Sequence, residues 1–244
     1  VIPLFAWVAI DVVLWGFITR YLNAVSGARL DFVTVLLGAV LLWDFFGRVM
    51  QGVTMTFFED VWSRNFLNLF ATPLTIAEYV SGLVLSSVAT SAIGLLVMLV
   101  LATAAFGLSF AGHGLVLVPA LLVLFLFGIA LGIAGSAIVL RLGPAAEWLI
   151  WPIPAVLAPF AGVFYPVATL PAWMRTLSWA LPPSYVFEAL RSLLAGGSVP
   201  WAALGGAGLL ALGDVILAGW LFARVHRHAV RTGLVARYSA ETVS

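Results

Sequence analysis

The sequence predicts an all-α membrane protein with six transmembrane helices, a cytosolic amphipathic helix and an external re-entrant helical hairpin between spans five and six. Three observations carry this. Of the 244 residues, 64% are hydrophobic and 9% charged, against roughly 25% charged in soluble domains. Between Glu78 and Arg141 the chain holds no acidic or basic residue other than His113. A hydrocarbon core about 30 Å thick takes roughly 20 apolar residues per helix, so that run accommodates a helix, a turn and a second helix. Elsewhere, prolines and short polar stretches divide the apolar segments at intervals that fit spans.

The first span is expected at about 2–21, ending near Asn23–Gly27, and the second at about 32–58. The most polar internal stretch follows at 59–73, with Glu59, Asp60, Arg64, Asn65, Asn68 and Thr72. Its apolar positions 62, 66, 69 and 70 recur at helical spacing, which predicts a short amphipathic helix lying at the interface, stopped by Pro73. The third span is expected at 76–106 and the fourth at 115–140. Gly128 and Gly132 stand four apart in the fourth and permit close helix packing. The fifth, 145–164, carries Pro152, Pro154 and Pro159 and is expected to be kinked or broken.

From Tyr165 to Gly197 the chain is too polar and too punctuated to span. Pro166, Pro171, Pro182 and Pro183 divide it into two short helices at about 172–180 and 184–195, with Pro171 and Pro183 placed where proline starts a helix comfortably. These predict a re-entrant hairpin over 166–197, tolerated at membrane depth only where protein or water satisfies the backbone. The sixth span is expected at 201–223. A single transmembrane domain thus covers 1–223, with a cytosolic tail at 224–244. Beginning without methionine and without a signal-peptide pattern, the sequence is expected to lack its true N-terminus.

Arginine placement sets the expected orientation. An even span count puts both termini on one side with Arg64, Arg141, Arg224, Arg227, Arg231 and Arg237, leaving Arg20, Arg29, Arg175 and Arg191 opposite. The termini are therefore expected in the cytosol and the hairpin outside. The tail, with Arg224, His226, Arg227, His228 and Arg231, is expected to anchor the last span against anionic headgroups.

Composition also excludes functions. All eleven basic residues are arginine, so the lysine of a phosphate-binding P-loop is missing. There is no cysteine, and His113, His226 and His228 have no metal-ligand spacing; no metal site is expected. Intramembrane charges are the other feature. Asp11, Asp44 and Arg48 are expected at similar depth, with Asp214 closer to the cytosol. Asp44 and Arg48 are four apart, acid before base, the favourable order for a helical pair. The cluster reads either as a neutralised structural group or as a proton relay or ligand site. Glu188 and Arg191, three apart, can pair with each other or across a dimer. Phe164, Tyr165, Trp173, Trp179 and Tyr185 read as an interfacial aromatic belt or as the lining of an exit.

Two segments carry a family resemblance. Residues 58–74, FEDVWSRNFLNLFATPL, followed by Glu78 and Gly82, resemble the cytosolic coupling segment of ABC-2 type permeases. Residues 162–175, GVFYPVATLPAWMR, continuing through 181–191, LPPSYVFEALR, resemble that family's pattern between spans five and six. The resemblance implies an export permease of the bacterial inner membrane that acts as a homodimer, each copy docking a cytosolic nucleotide-binding subunit that binds ATP and Mg. It implies docking by Glu59, Asp60, Arg64, Asn65, Asn68, Pro73 and Glu78. The hairpin, entering from outside, is expected to narrow the exit as a gate built from Tyr165, Pro166, Pro171, Trp173, Pro182, Pro183, Tyr185, Glu188 and Arg191. No cofactor bound by this chain and no nucleic acid partner is expected; membrane lipids are. The family's amphipathic N-terminal helix would precede Val1. Substrates in the family include lipids, lipid-linked glycans and drugs. The rival readings are a proton-coupled carrier using the intramembrane carboxylates and a membrane enzyme modifying lipids, for which no catalytic constellation is found.

Overall fold

A computed structural model describes residues 2–26, 36–63, 73–106 and 114–232, and these form eight α-helices and two 3-10 turns. The helices are α1 (Ile2–Ser26), α2 (Gly38–Trp62), α3 (Ile76–Phe106), α4 (Gly114–Leu142), α5 (Ile153–Ala161), α6 (Ala172–Ser178), α7 (Pro182–Leu194) and α8 (Trp201–Thr232). Three are long and apolar enough to cross a membrane: α3, the Val116–Leu142 part of α4, and α8, with mean hydropathies of 2.3, 2.8 and 1.8. At 1.5 Å per residue, α1 and α2, of 25 residues each, have the length as well, about 37 Å. In α2 the apolar run is broken by Asp44, Arg48, Glu59 and Asp60.

The long helices follow one another in space as α8, α4, α2, α3 and α1. The core lies along α2 and α4, where Phe46, Met50, Phe57, Leu124, Ile133 and Leu140 are fully buried. Lipid tails are as apolar as leucine, so packing and hydrogen bonds, rather than exclusion of water, hold such helices together. Gly128 and Gly132 supply the close approach. A Cβ on Gly132 would lie 2.6 Å from the Val53 Cβ and 2.9 Å from the Met50 carbonyl oxygen. On Gly128 it would lie 2.9 Å from the Val49 Cβ and 3.1 Å from the Phe46 carbonyl oxygen. The glycine pair is thus the groove into which α2 seats.

Four element boundaries differ from the sequence expectation. Glu59 and Asp60 are not on a separate amphipathic helix but on the last turns of α2, which runs to Trp62; the remainder of the expected helix, 64–72, lies outside the described residues. The fifth segment is not one continuous helix. It is a 3-10 turn over Pro144–Leu149, a turn, then the nine-residue α5, with Pro152 as its N-cap and Gly162 ending it at φ +63°. Proline lacks the N–H that a continuous helix needs at 152 and 154, and Gly162 takes the left-handed conformation that closes a helix. α1 continues to Ser26 and α8 to Thr232, because no glycine or proline interrupts 22–26 or 220–232 and arginine is a good helix former.

Candidate functional site

One row of residues on α2 organises the site. Asp44, Arg48, Gly52, Thr56 and Asp60 stand four apart, which places them along one ridge of the helix. Antiparallel α3 meets this ridge rung by rung. The Tyr79 hydroxyl donates to Asp60 Oδ2 at 2.8 Å. Thr56 Oγ1 donates to Ser86 Oγ at 3.0 Å. Beside the ridge, Ser87 Oγ donates to the Val49 carbonyl at 2.8 Å. A Cβ on Gly52 would meet Ser87 Oγ at 2.9 Å and Thr90 Oγ1 at 3.1 Å, and one on Gly94 would meet Arg48 Cδ at 3.4 Å. Arg48 Nε donates to Asp44 Oδ2 at 2.7 Å, with the arginine 11% exposed.

This bears on each expected residue at the coupling end. Glu59 is exposed and Asp60 half-buried. Glu78 closes a capping box at the start of α3: its carboxylate accepts from the Thr75 N–H at 2.8 Å and from Thr75 Oγ1 at 2.7 Å, while its own N–H donates to Thr75 Oγ1 at 3.3 Å. This reciprocal pairing satisfies donors that a helix start leaves open. Pro73 lies two residues before Thr75, exposed. Arg64, Asn65, Asn68 and the side chain of Asp11 lie outside the described residues. Asp214 forms no ion pair among the described residues, and its Oδ2 is buried without a hydrogen-bond partner; it does not join the Asp44–Arg48 pair.

The second motif lies at the other end of α2. Trp43 meets Phe187 of α7 with ring centroids 6.0 Å apart. Trp43 and Asp60 are 17 residues apart, about 25 Å along the helix. Pro182 and Pro183 begin α7, where their missing N–H is no loss, and both are buried with Ser184, Val186 and Phe187. The α6 face is open: Pro166, Pro171 and Trp173 are exposed.

Glu188 and Arg191 hold this end together. They pair with each other at 3.1 Å, as their spacing allows. Arg191 Nη2 also donates to the Gly162 carbonyl at 2.5 Å and Nη1 to Val163 at 3.4 Å, while Glu188 Oε1 accepts from the Val167 N–H at 2.7 Å. A cation at the C-terminus of α5 meets the carbonyls that a helix end leaves unpaired. Tyr165 OH donates to the Pro159 carbonyl and Tyr185 OH to the Trp179 carbonyl, both at 2.9 Å. Trp15 of α1 stacks on Phe164 at 5.8 Å.

Sequence reasoning missed Tyr79, Ser86 and Ser87, for which the four-residue repeat on α2 was the available signal; it carried Gly162 as the first residue of the second motif but not as the end of α5.

A search of curated proteins found no match to the chain. A family model for the ABC-2 type transporter matches residues 2–195 and includes both motif segments. Such a protein is a multi-pass membrane permease whose ATP is bound by a separate subunit, in keeping with a chain that holds no lysine. The chain belongs to the ABC-2 type transporter family.

Proposed function

We propose that this chain is one half of a homodimeric, ATP-driven exporter with six spans and cytosolic termini, in which the Glu59–Pro73 segment and Glu78 dock the nucleotide-binding subunit and the α6–α7 segment dips in from outside as the exit gate. The cargo class is a lipid, a lipid-linked glycan or an amphipathic drug moving outward. The observation that carries the reading is the placement of the two motifs, about 25 Å apart at opposite ends of α2, joined by a helix that is hydrogen-bonded to α3 at Val49, Thr56 and Asp60 and meets Phe187 at Trp43. The Asp44–Arg48 pair is read as structural.

Single cysteines test it, since the chain has none of its own. Cysteine at Trp173, which is 63% exposed, labels with an impermeant thiol reagent applied outside, and labels more when the partner ATPase is trapped with ATP. Cysteine at Ser184, fully buried, labels only in the trapped state. Labelling of both from the cytosolic side alone overturns the topology and the gate together.

A further inference from the structure

A cleft of about 240 Å³ opens where α4 ends against α8. Arg141, in the last turn of α4, forms one wall. Leu221, Arg224, Val225 and His228 form the other, and their spacing of three, four and seven places them on one face of α8. The floor is therefore apolar and the rim cationic. Among the described residues no carboxylate pairs with Arg141, Arg224 or His228, and His226 is turned inward and buried.

The level of the cleft is marked by aromatic residues. The Arg224 guanidinium lies 5.4 Å from the Trp220 ring centroid. Trp220 is exposed, and so is Trp148, seven residues past Arg141. Exposed tryptophans beside arginines at the ends of apolar helices sit at the headgroup layer. Next to the cleft, Leu142 and Leu217 are exposed as well, giving an acyl chain an apolar surface.

We propose that this cleft holds an anionic phospholipid, its phosphate between Arg141 and Arg224 and its acyl chain along α8. Two arginines that pair with no carboxylate among the described residues favour a headgroup of net negative charge over a zwitterionic one, whose own cation would face theirs. Arginine suits the site because its planar fork can give two hydrogen bonds to one phosphate. The inference requires only that α4 and α8 cross the membrane, so it stands or falls apart from the dimer and gate.

The purified, delipidated full chain is titrated in detergent with phosphatidylglycerol or phosphatidylcholine, and bound lipid is counted by native mass spectrometry. The wild type retains phosphatidylglycerol in preference. Taking roughly 1 kcal/mol per surface cation, Arg141→Gln and Arg224→Gln each weaken retention about fivefold and the double change about 25-fold. Arg224→Lys keeps most of the preference, and Arg20→Gln, outside the cleft, leaves it unchanged. Neither arginine holds another helix by an ion pair, so the thermal midpoint of the double variant stays near the wild type. Equal retention of both lipids by the wild type overturns the proposal, as does a double variant that still prefers phosphatidylglycerol. Displacement of the lipid by equimolar glycerol phosphate shows a free-anion site and overturns it too.

Discussion

The Tyr79 hydroxyl donates to Asp60 Oδ2 across 2.8 Å and so ties the first turn of α3 to the last turns of α2. Tyr79→Phe removes the donor and keeps the ring, which stacks on Phe222 at 6.2 Å. We expect a loss of about 1 kcal/mol, read as an earlier unfolding midpoint in detergent. An unchanged midpoint shows that the bond adds no stability.

Gly132→Ala places a methyl 2.6 Å from the Val53 Cβ and 2.9 Å from a backbone oxygen. Backbone yields less readily than a side-chain tip, so α2 and α4 must part. Overpacking of this kind costs about 1–3 kcal/mol. Gly206→Ala on α8, with nothing within 4 Å of the new carbon, serves as the control and leaves stability equal or slightly raised. Similar midpoints for the two variants refute the seating of α2 in the glycine groove.

Arg48→Ala takes the cation from beside Asp44, whose carboxyl is 25% exposed. Stranding one member of such a pair costs about 3–5 kcal/mol when it is fully buried, and less here. The double change Arg48→Ala, Asp44→Asn is expected to be the more stable of the two. A double variant as unstable as the single one shows that the residues are not energetically coupled.

Arg191→Lys tests geometry against charge. Lysine keeps the cation but lacks the planar fork that reaches Gly162, Val163 and Glu188 together. We expect the lysine variant to recover less than half of the stability that Arg191→Ala loses, and cysteine at Ser184, buried otherwise, to label without ATP in both. Full rescue by lysine reduces the role of Arg191 to its charge.

Much of the helical layout was legible because its causes are local. Pro171 and the Pro182–Pro183 pair set the starts of α6 and α7 to within two residues of the expected positions, since proline fixes φ and cannot donate. Gly128 and Gly132 were legible as a packing face, but not which helix they receive, because that partner is decided in three dimensions. The depth of the break in the fifth segment was hidden for the same reason: three prolines announce a break, yet Gly162 ends α5 where Arg191, 29 residues on, reaches its carbonyls. Glu59 and Asp60, the first residues of the coupling motif, are expected on a separate helix because their charges resemble an interfacial face. In the structure Asp60 is drawn into α2 by a tyrosine from the next helix.

The ridge on α2 advances four residues per rung while the helix turns once in 3.6. Its line therefore slants across the cylinder by roughly 26°, and α3 follows that slant through Asp60, Thr56, Gly52 and Arg48. Turning α2 about its own axis would part every rung at once, whereas leaning the two helices together parts none. On the proposed coupling, a push on the Asp60 end would reach Trp43 and Phe187 as the swing of a lever, with the motion at the far end fixed by where the pair pivots.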